Sequence, residues 1–328
     1  MTRSAGGQVR AKQVREAFPG RPVHLATEDN RNITRLHERG PDGAVGLYTA
    51  EWNDDFHNVA HTVATGEAEG YYVDFAEDHW AKLARALADG FAYQGEPSRH
   101  QDGAPRGSPS AHLPPVAFVD FLQNHDQVGN RAFGERLIDL APRECVRALT
   151  AILLLSPHVP LIFMGEEWGE TRPFAFFTDF DGPLADAVRE GRRREFGHFA
   201  AFSDASDRAH IPDPNDAATF EASKLDWSRP ETVEGREWLG YVAGLLAVRR
   251  REVVPRLAGA GGHAGRVLAA RDGMVAVDWR LDGADLRLRA NLTDAPLPAP
   301  EASGRAIHGA AALPLGPYAV LFTLEDRR

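Results

Sequence analysis

The sequence predicts an α/β body built on a parallel sheet, followed by a small antiparallel β domain. Two observations carry this. Between residues 23 and 169, four short apolar runs each end abruptly in carboxylates, amides or imidazoles, and helix-like stretches separate them. Strands joined by crossover helices lie parallel, and such sheets gather functional side chains at their carboxyl ends. Beyond the glycine-rich connector Gly259–Gly262 the apolar period changes to two, and Asp282-Gly283 reads as a hairpin turn.

In chain order, a helix is predicted over 9–18 and stopped by Pro19-Gly20; Val23–Thr27 is a strand running into Glu28. Residues 45–57 form a second unit ending in Trp52-Asn-Asp-Asp-Phe-His57, and a helix over 80–88 stops at Asp89-Gly90. Glu96–Pro115 is a long loop whose Arg99 and Arg106 read as solvated. The strand from Phe118 delivers Asn124-His-Asp126, with Asp120 near its start, and the helix Pro142–Leu155 leads to the strand Val159–Met164, which ends in Glu166-Glu167. Residues 172–232 read as an irregular insertion, Glu237–Val254 as an amphipathic helix with Pro255 just beyond it. The predicted division is 1–255 for the α/β body and 256–328 for the β domain.

Composition removes several classes of function. With 37 basic against 47 acidic residues the net charge is −10, which repels phosphate backbones, so no nucleic-acid partner is expected. The runs Arg192–Arg194 and Arg249–Arg251 are most simply solvated helix faces. A single cysteine, Cys145, allows no intrachain disulfide and suits the cytoplasm; no apolar run is long enough to span a membrane. His57 and His61 are spaced i, i+4 but lack the glutamate of a zincin helix, and the glycine run precedes no Lys-Ser/Thr pair, so neither metal nor cofactor is expected.

Asp126 is the centre of the predicted site, although Asp and Asn after a strand also serve as plain helix caps. Two acids, an amide, an imidazole and the rings of Trp52 and Phe56 suit a sugar, which needs both hydrogen bonds and stacking faces.

With these pieces in place the chain resembles the α-amylase clan of glycoside hydrolases and, within it, the maltooligosyltrehalose trehalohydrolase family. The resemblance rests on Leu25–Asn32, Trp52–His57, Gly70–Phe75, Phe91–Gly95, Phe121–Arg131 and Phe163–Trp168. It implies about the second half of a (β/α)8 barrel ahead of the β domain, and a retaining cleavage of the α-1,4 bond next to the trehalose end of maltooligosyltrehalose or a related α-glucan. Glu28 is then the general acid/base, a buried carboxylic acid with a raised pKa, and Asp126 the transition-state stabiliser. Substrate contacts are implied at Trp52, Asn53, Asp54, Asp55, Phe56 and His57, and at His125, Gln127, Val128, Gly129 and Asn130.

A retaining enzyme also needs a nucleophilic aspartate, which this family carries in a Gly-hydrophobic-Arg-hydrophobic-Asp-Ala-hydrophobic-His segment. No such segment occurs here. The chain is therefore expected to be inactive alone: either it works only with a separately encoded N-terminal half, or, as the missing segment favours, it is a truncated, inactive copy. The alternatives are a broader α-amylase or branching activity and a glucan-binding remnant without turnover.

Overall fold

The structure is a computed structural model and describes residues 11–196, 204 and 210–327. Its first sheet has four parallel strands adjacent in chain order, β1 (Ala26–Thr27), β2 (Ala50–Trp52), β3 (Phe118–Asp120) and β4 (Val159–Pro160). All four predicted units are present, and each is shorter than its apolar run. Polar side chains end them early: Asn53 leaves the β2 ladder to cap the next helix, its Oδ1 accepting from Phe56 N at 3.3 Å. β4 lies at the sheet edge, and Pro160 has no N–H to extend its pairing.

α-Helices follow β2 and β3, whereas only the three-residue 3-10 turn Thr34–Leu36 lies between β1 and β2. α1 (Asp54–Thr65) carries two acids in its first turn, where the helix dipole favours them, and ends at Gly66 with φ 75°. α2 (His79–Asp89) ends at Gly90, whose φ of 96° no L side chain adopts readily. After β3 come α3 (His125–Gly129), α4 (Leu137–Leu140) and α5 (Arg143–Leu155), with Cys145 buried in α5. Residues 11–17 are helical, and the start of the predicted 9–18 helix lies outside the described residues.

The segment 172–232 is more regular than its sequence indicates, since it contains α6 (Gly182–Phe196) and α7 (Ala217–Ala222), although parts of it lie outside the described residues. α6 buries only Ala185, Arg192 and Phe196, so it shows no apolar stripe to read. α8 starts four residues earlier than predicted, at Val233, and runs to Val248. A π-helical turn, Arg249–Val253, then leads into a 3-10 turn that contains Pro255.

The second sheet is antiparallel, in the order β5-β6-β7-β9-β8, from β5 (Gly265–Arg271), β6 (Met274–Leu281), β7 (Ala284–Asn291), β8 (Arg305–His308) and β9 (Val320–Asp326). The Asp282-Gly283 hairpin forms as predicted, with Leu281 opposite Ala284. A second Asp-Gly turn, Asp272-Gly273 with both residues at positive φ, joins β5 to β6. This sheet packs on α2, where Trp279 Nε1 donates to Leu87 O at 2.8 Å, and one continuous apolar core runs from Phe56 and Leu87 to Val275 and Leu324. No helix among the described residues is long and apolar enough to cross a membrane.

Buried polar groups fix the parallel sheet. Asp120 is the last residue of β3, not near the start of its strand, and has no exposure. It accepts from Asn53 Nδ2 at 2.8 Å and pairs with His158 Nδ1 at 2.8 Å, tying β3 to the residues that follow β2 and precede β4. Arg249 is also buried and donates to the carbonyls of Leu154, Ser156 and His158, so this arginine satisfies the end of α5 where a solvated face was expected. Between β1 and β2, Thr27 Oγ1 donates to Glu51 Oε2 at 2.8 Å and meets His37 Nε2 at 2.8 Å. Burial pushes the Glu51 carboxyl up to about 8 and the His37 imidazole down to about 4, so both are neutral at pH 7.

Two predictions follow from this packing. At Gly90 a Cβ would lie 2.1 Å from the Phe118 ring, so Gly90→Ala is expected to lower stability by about 2–4 kcal/mol in urea unfolding. Glu51 holds its proton tighter folded than unfolded, so its contribution is complete below pH 4.5 and is lost as pH rises through about 8. Glu51→Gln should therefore gain on the parent chain by up to about 1.4 kcal/mol per pH unit across that window. Parallel stability curves from pH 4.5 to 8 would show that Glu51 ionises freely.

Candidate active site

A cleft of about 870 Å³ opens beside the carboxyl ends of β2 and β3, between α1, the 3-10 turn Gly70–Phe75, the loop at His100 and the far end of α6. Of the predicted residues, Asp54, Asp126, Gln127 and Asn130 line it. Gln127 Nε2 donates to Asp54 Oδ1 at 2.9 Å, and Asn130 Nδ2 donates to Asp126 Oδ1 at 2.7 Å. Asp54 and Asp126 are thus each held by an amide. Burial raises the Asp54 pKa to about 6, with Gln127 pulling it down and the charges of Asp55 and Glu28 adding to the rise.

Glu28 directly follows β1, close enough for its charge to act on Asp54. Its side chain is exposed rather than buried as expected, because β1 is an edge strand and its end stays in water. Near the ends of β1 and β2 the carboxyls that burial raises are instead Glu51 and Asp54. Asp126 is also exposed, in the first turn of α3, and the cap of that helix is Asn124, whose Oδ1 accepts from Gln127 N at 2.8 Å. Trp52 and His125 come together, ring centroids 6.3 Å apart, and Trp52 rests edge-on against Phe121.

Six expected contact residues are buried and form the frame of the site. Asn53 caps α1 and holds Asp120; Asp55 accepts from Asn32 Nδ2, Tyr93 N and Arg106 Nη2. Phe56 lies in the apolar core, and His57 points Nδ1 at Leu122 O, its pKa driven down to about 3 by burial. Val128 and Gly129 are covered as α3 packs inward. In the strand-to-helix turn at Trp52–His57, Asn53, Asp55, Phe56 and His57 all point into the body, so a polar residue there is as readily structural as substrate-facing. Glu166 turns away from the cleft: it accepts from Gln123 Nε2 and Phe163 N, and burial lifts its pKa to about 7.

Two arginines that read as solvated are built into the site. Arg106 is 7% exposed and reaches Asp55 Oδ1 at 2.5 Å and Asn30 O at 2.9 Å, fixing the long loop to the cleft wall. Arg192 of α6, also 7% exposed, lies between the rings of Phe176 and Phe196 and donates to the carbonyls of Gly129 and Arg131, both at 3.0 Å. Its Nη1 also reaches Asn130 Oδ1 at 3.5 Å, so α6 steadies the residue that holds Asp126. Nothing local in the sequence signals either role, since the partners are 51 and 63 residues away.

Residues 262–322 match a family model described as a domain of unknown function (DUF3459). Malto-oligosyltrehalose trehalohydrolase of Rhizobium sp. (strain M-11) is 39% identical over 235 residues, covering 70% of this chain and 38% of the relative. That of Saccharolobus solfataricus is 40% identical over 202 residues, covering 61% of this chain and 32% of the relative. The chain thus spans less than two-fifths of the length of these curated relatives. A crystal structure of a putative alpha amylase from Salmonella typhimurium superposes with a TM-score of 0.92 at 49% identity, over 97% of this chain and 54% of that one. Isomaltulose synthase from Klebsiella sp. LX3 superposes at 0.56 with 15% identity, over 97% and 58%, a likeness of fold alone. The chain is a relative of the malto-oligosyltrehalose trehalohydrolases, built on part of the α-amylase fold.

Proposed function

We propose that this chain carries the acid/base and the stabilising carboxylate of a retaining glycoside hydrolase that releases trehalose from maltooligosyltrehalose. The observation that carries the reading is the cleft itself, where Asp126 and Asp54 face a space large enough for sugar rings and Glu28 stands at the end of the neighbouring strand. In this mechanism Glu28 protonates the glycosidic oxygen of the α-1,4 bond next to the trehalose end. Asp126, kept in place by Asn130, offsets the positive charge that develops as the sugar ring flattens. A neutral substrate accords with the acidic wall, and a cytosolic setting accords with a lone, buried Cys145.

The nucleophile is the part these residues do not supply. Asp74 and Asp120 are both buried and already saturated: Asp74 accepts from Ser98 Oγ, Arg99 N and His100 N, and Asp120 from Asn53 and His158. Turnover then requires an aspartate from polypeptide beyond residues 1–328, such as a separately encoded N-terminal half.

Trehalose release is expected from the chain mixed with a separately expressed N-terminal half of a relative, not from the chain alone. Glu28→Gln in that mixture should cut the rate at least about 100-fold. Trehalose release by the chain alone would place the nucleophile within these residues. Maltodextrins or branched glucans as the products would replace the trehalohydrolase reading with a broader amylase or branching one.

A further inference from the structure

A second cavity, of about 950 Å³, lies at the amino ends of the parallel strands, the end opposite the candidate active site. Thr49 and Val116, just ahead of β2 and β3, line it together with Val159, which begins β4. Residues at this end of a parallel sheet ordinarily serve stability. Among the described residues its walls carry Arg15, Arg21, Arg39, His24 and His112 and no carboxylate, in a chain where 47 acidic residues outnumber 37 basic ones.

The three arginines are held but not neutralised. Arg15 Nη2 donates to Leu47 O at 2.9 Å and its Nη1 to Val23 O at 3.3 Å, while Arg39 Nη2 donates to Thr49 O at 2.6 Å. Carbonyls satisfy these donors and leave the positive charge in place. Burial and then the charge of Arg15 hold Arg39 below the usual arginine range, with Glu38 offsetting them in part, so two like charges stand close together. Arg21 and His24 have no side-chain hydrogen bond or ion pair among the described residues, and only His112 meets an acid, Glu38 Oε1 at 3.0 Å.

The glycine-rich connector lines the same cavity. The backbone N–H groups of Gly261 and Gly262 have no partner among the described residues, and around Gly261 there is open space where a side chain would stand. Free N–H groups of this kind bind phosphate oxygens even where no lysine follows. Beside them Phe18, 53% exposed, forms an apolar wall with Val116. Long polyanions are repelled by the net charge of −10, whereas a small anion inside the cavity feels mainly the nearby arginines.

We propose that this cavity binds an organic phosphate, its phosphate group among Arg15, Arg21 and Arg39 and its organic group against Phe18 and Val116. The site is separate from the acidic cleft and independent of the glucan reading.

Calorimetric titration of phenyl phosphate into this chain at fixed ionic strength tests it, with inorganic phosphate as the second probe. Phenyl phosphate is expected to bind about ten-fold more tightly than inorganic phosphate, which has no ring to bury. Arg39→Met, which keeps most of the stem and loses the charge, should weaken phenyl phosphate at least about ten-fold. Arg21→Ser, at an exposed side chain without partners, serves should Arg39→Met fail to fold, and is expected to weaken binding several-fold with an unchanged unfolding midpoint. No saturable binding by the parent chain, or parent-like affinity in the folded variants, would overturn the site. Equal affinity for the two probes would overturn the assignment to an organic phosphate.

Discussion

Asp120 is a carboxylate with no contact with water, hydrogen-bonded on one side to Asn53 and on the other to His158, and the site is arranged around it. Asn53 also donates to Gly90 O at 2.7 Å and accepts from the first turn of α1, so fixing Asn53 fixes where Asp54 points. The strand that ends in Asp120 runs on through Asn124 into α3, which sets the place of Asp126. A buried carboxylate left without these partners would cost several kcal/mol, so the sheet and the site form together or not at all. Gly90 belongs to the same junction, since only the absence of a side chain lets Phe118 pack beneath the end of α2.

The walls of the cleft are joined from widely separated parts of the chain by charge and hydrogen bonds rather than by an apolar core. Arg106 binds the long loop to Asp55, Arg192 binds α6 to the loop after Asp126, and Tyr71 is tied to α6 through Glu195. Each cation is buried against carbonyls or a carboxylate, where a charge-assisted hydrogen bond is strong and its loss is expensive. This arrangement holds acidic side chains at the opening without collapsing it. The price is a cleft whose shape depends on a few arginines.

How much of this the sequence could tell depended on the distance over which each interaction acts. The four strand-then-polar units were legible because burial imposes a short apolar run that ends in polar residues, and the Asp282-Gly283 hairpin because its turn needs those residues. β5 was legible in principle through Asp272-Gly273 and was hidden by the glycine-rich connector before it and by its exposed edge position. α6 left no pattern because it buries so little. At the site, Asp54, Asp126, Gln127 and Asn130 line the cleft, whereas Asn53, Asp55 and His57 face inward; composition cannot separate the two sets, because a polar residue at a strand end either meets solvent or satisfies a buried neighbour. The roles of Arg106, Arg192 and Arg249 depend on carbonyls and carboxylates that only folding brings near.

The central claim is that the ends of β1, β2 and β3 present one sugar-binding cleft with Glu28 and Asp126 on its approach. A crystal structure of this chain with maltotetraose bound tests it most directly. The account predicts continuous density for sugar rings in the cleft, one ring within hydrogen-bonding distance of Asp126. Maltotetraose bound elsewhere, for example on the exposed ring of Trp227, with the cleft holding only solvent, would contradict it.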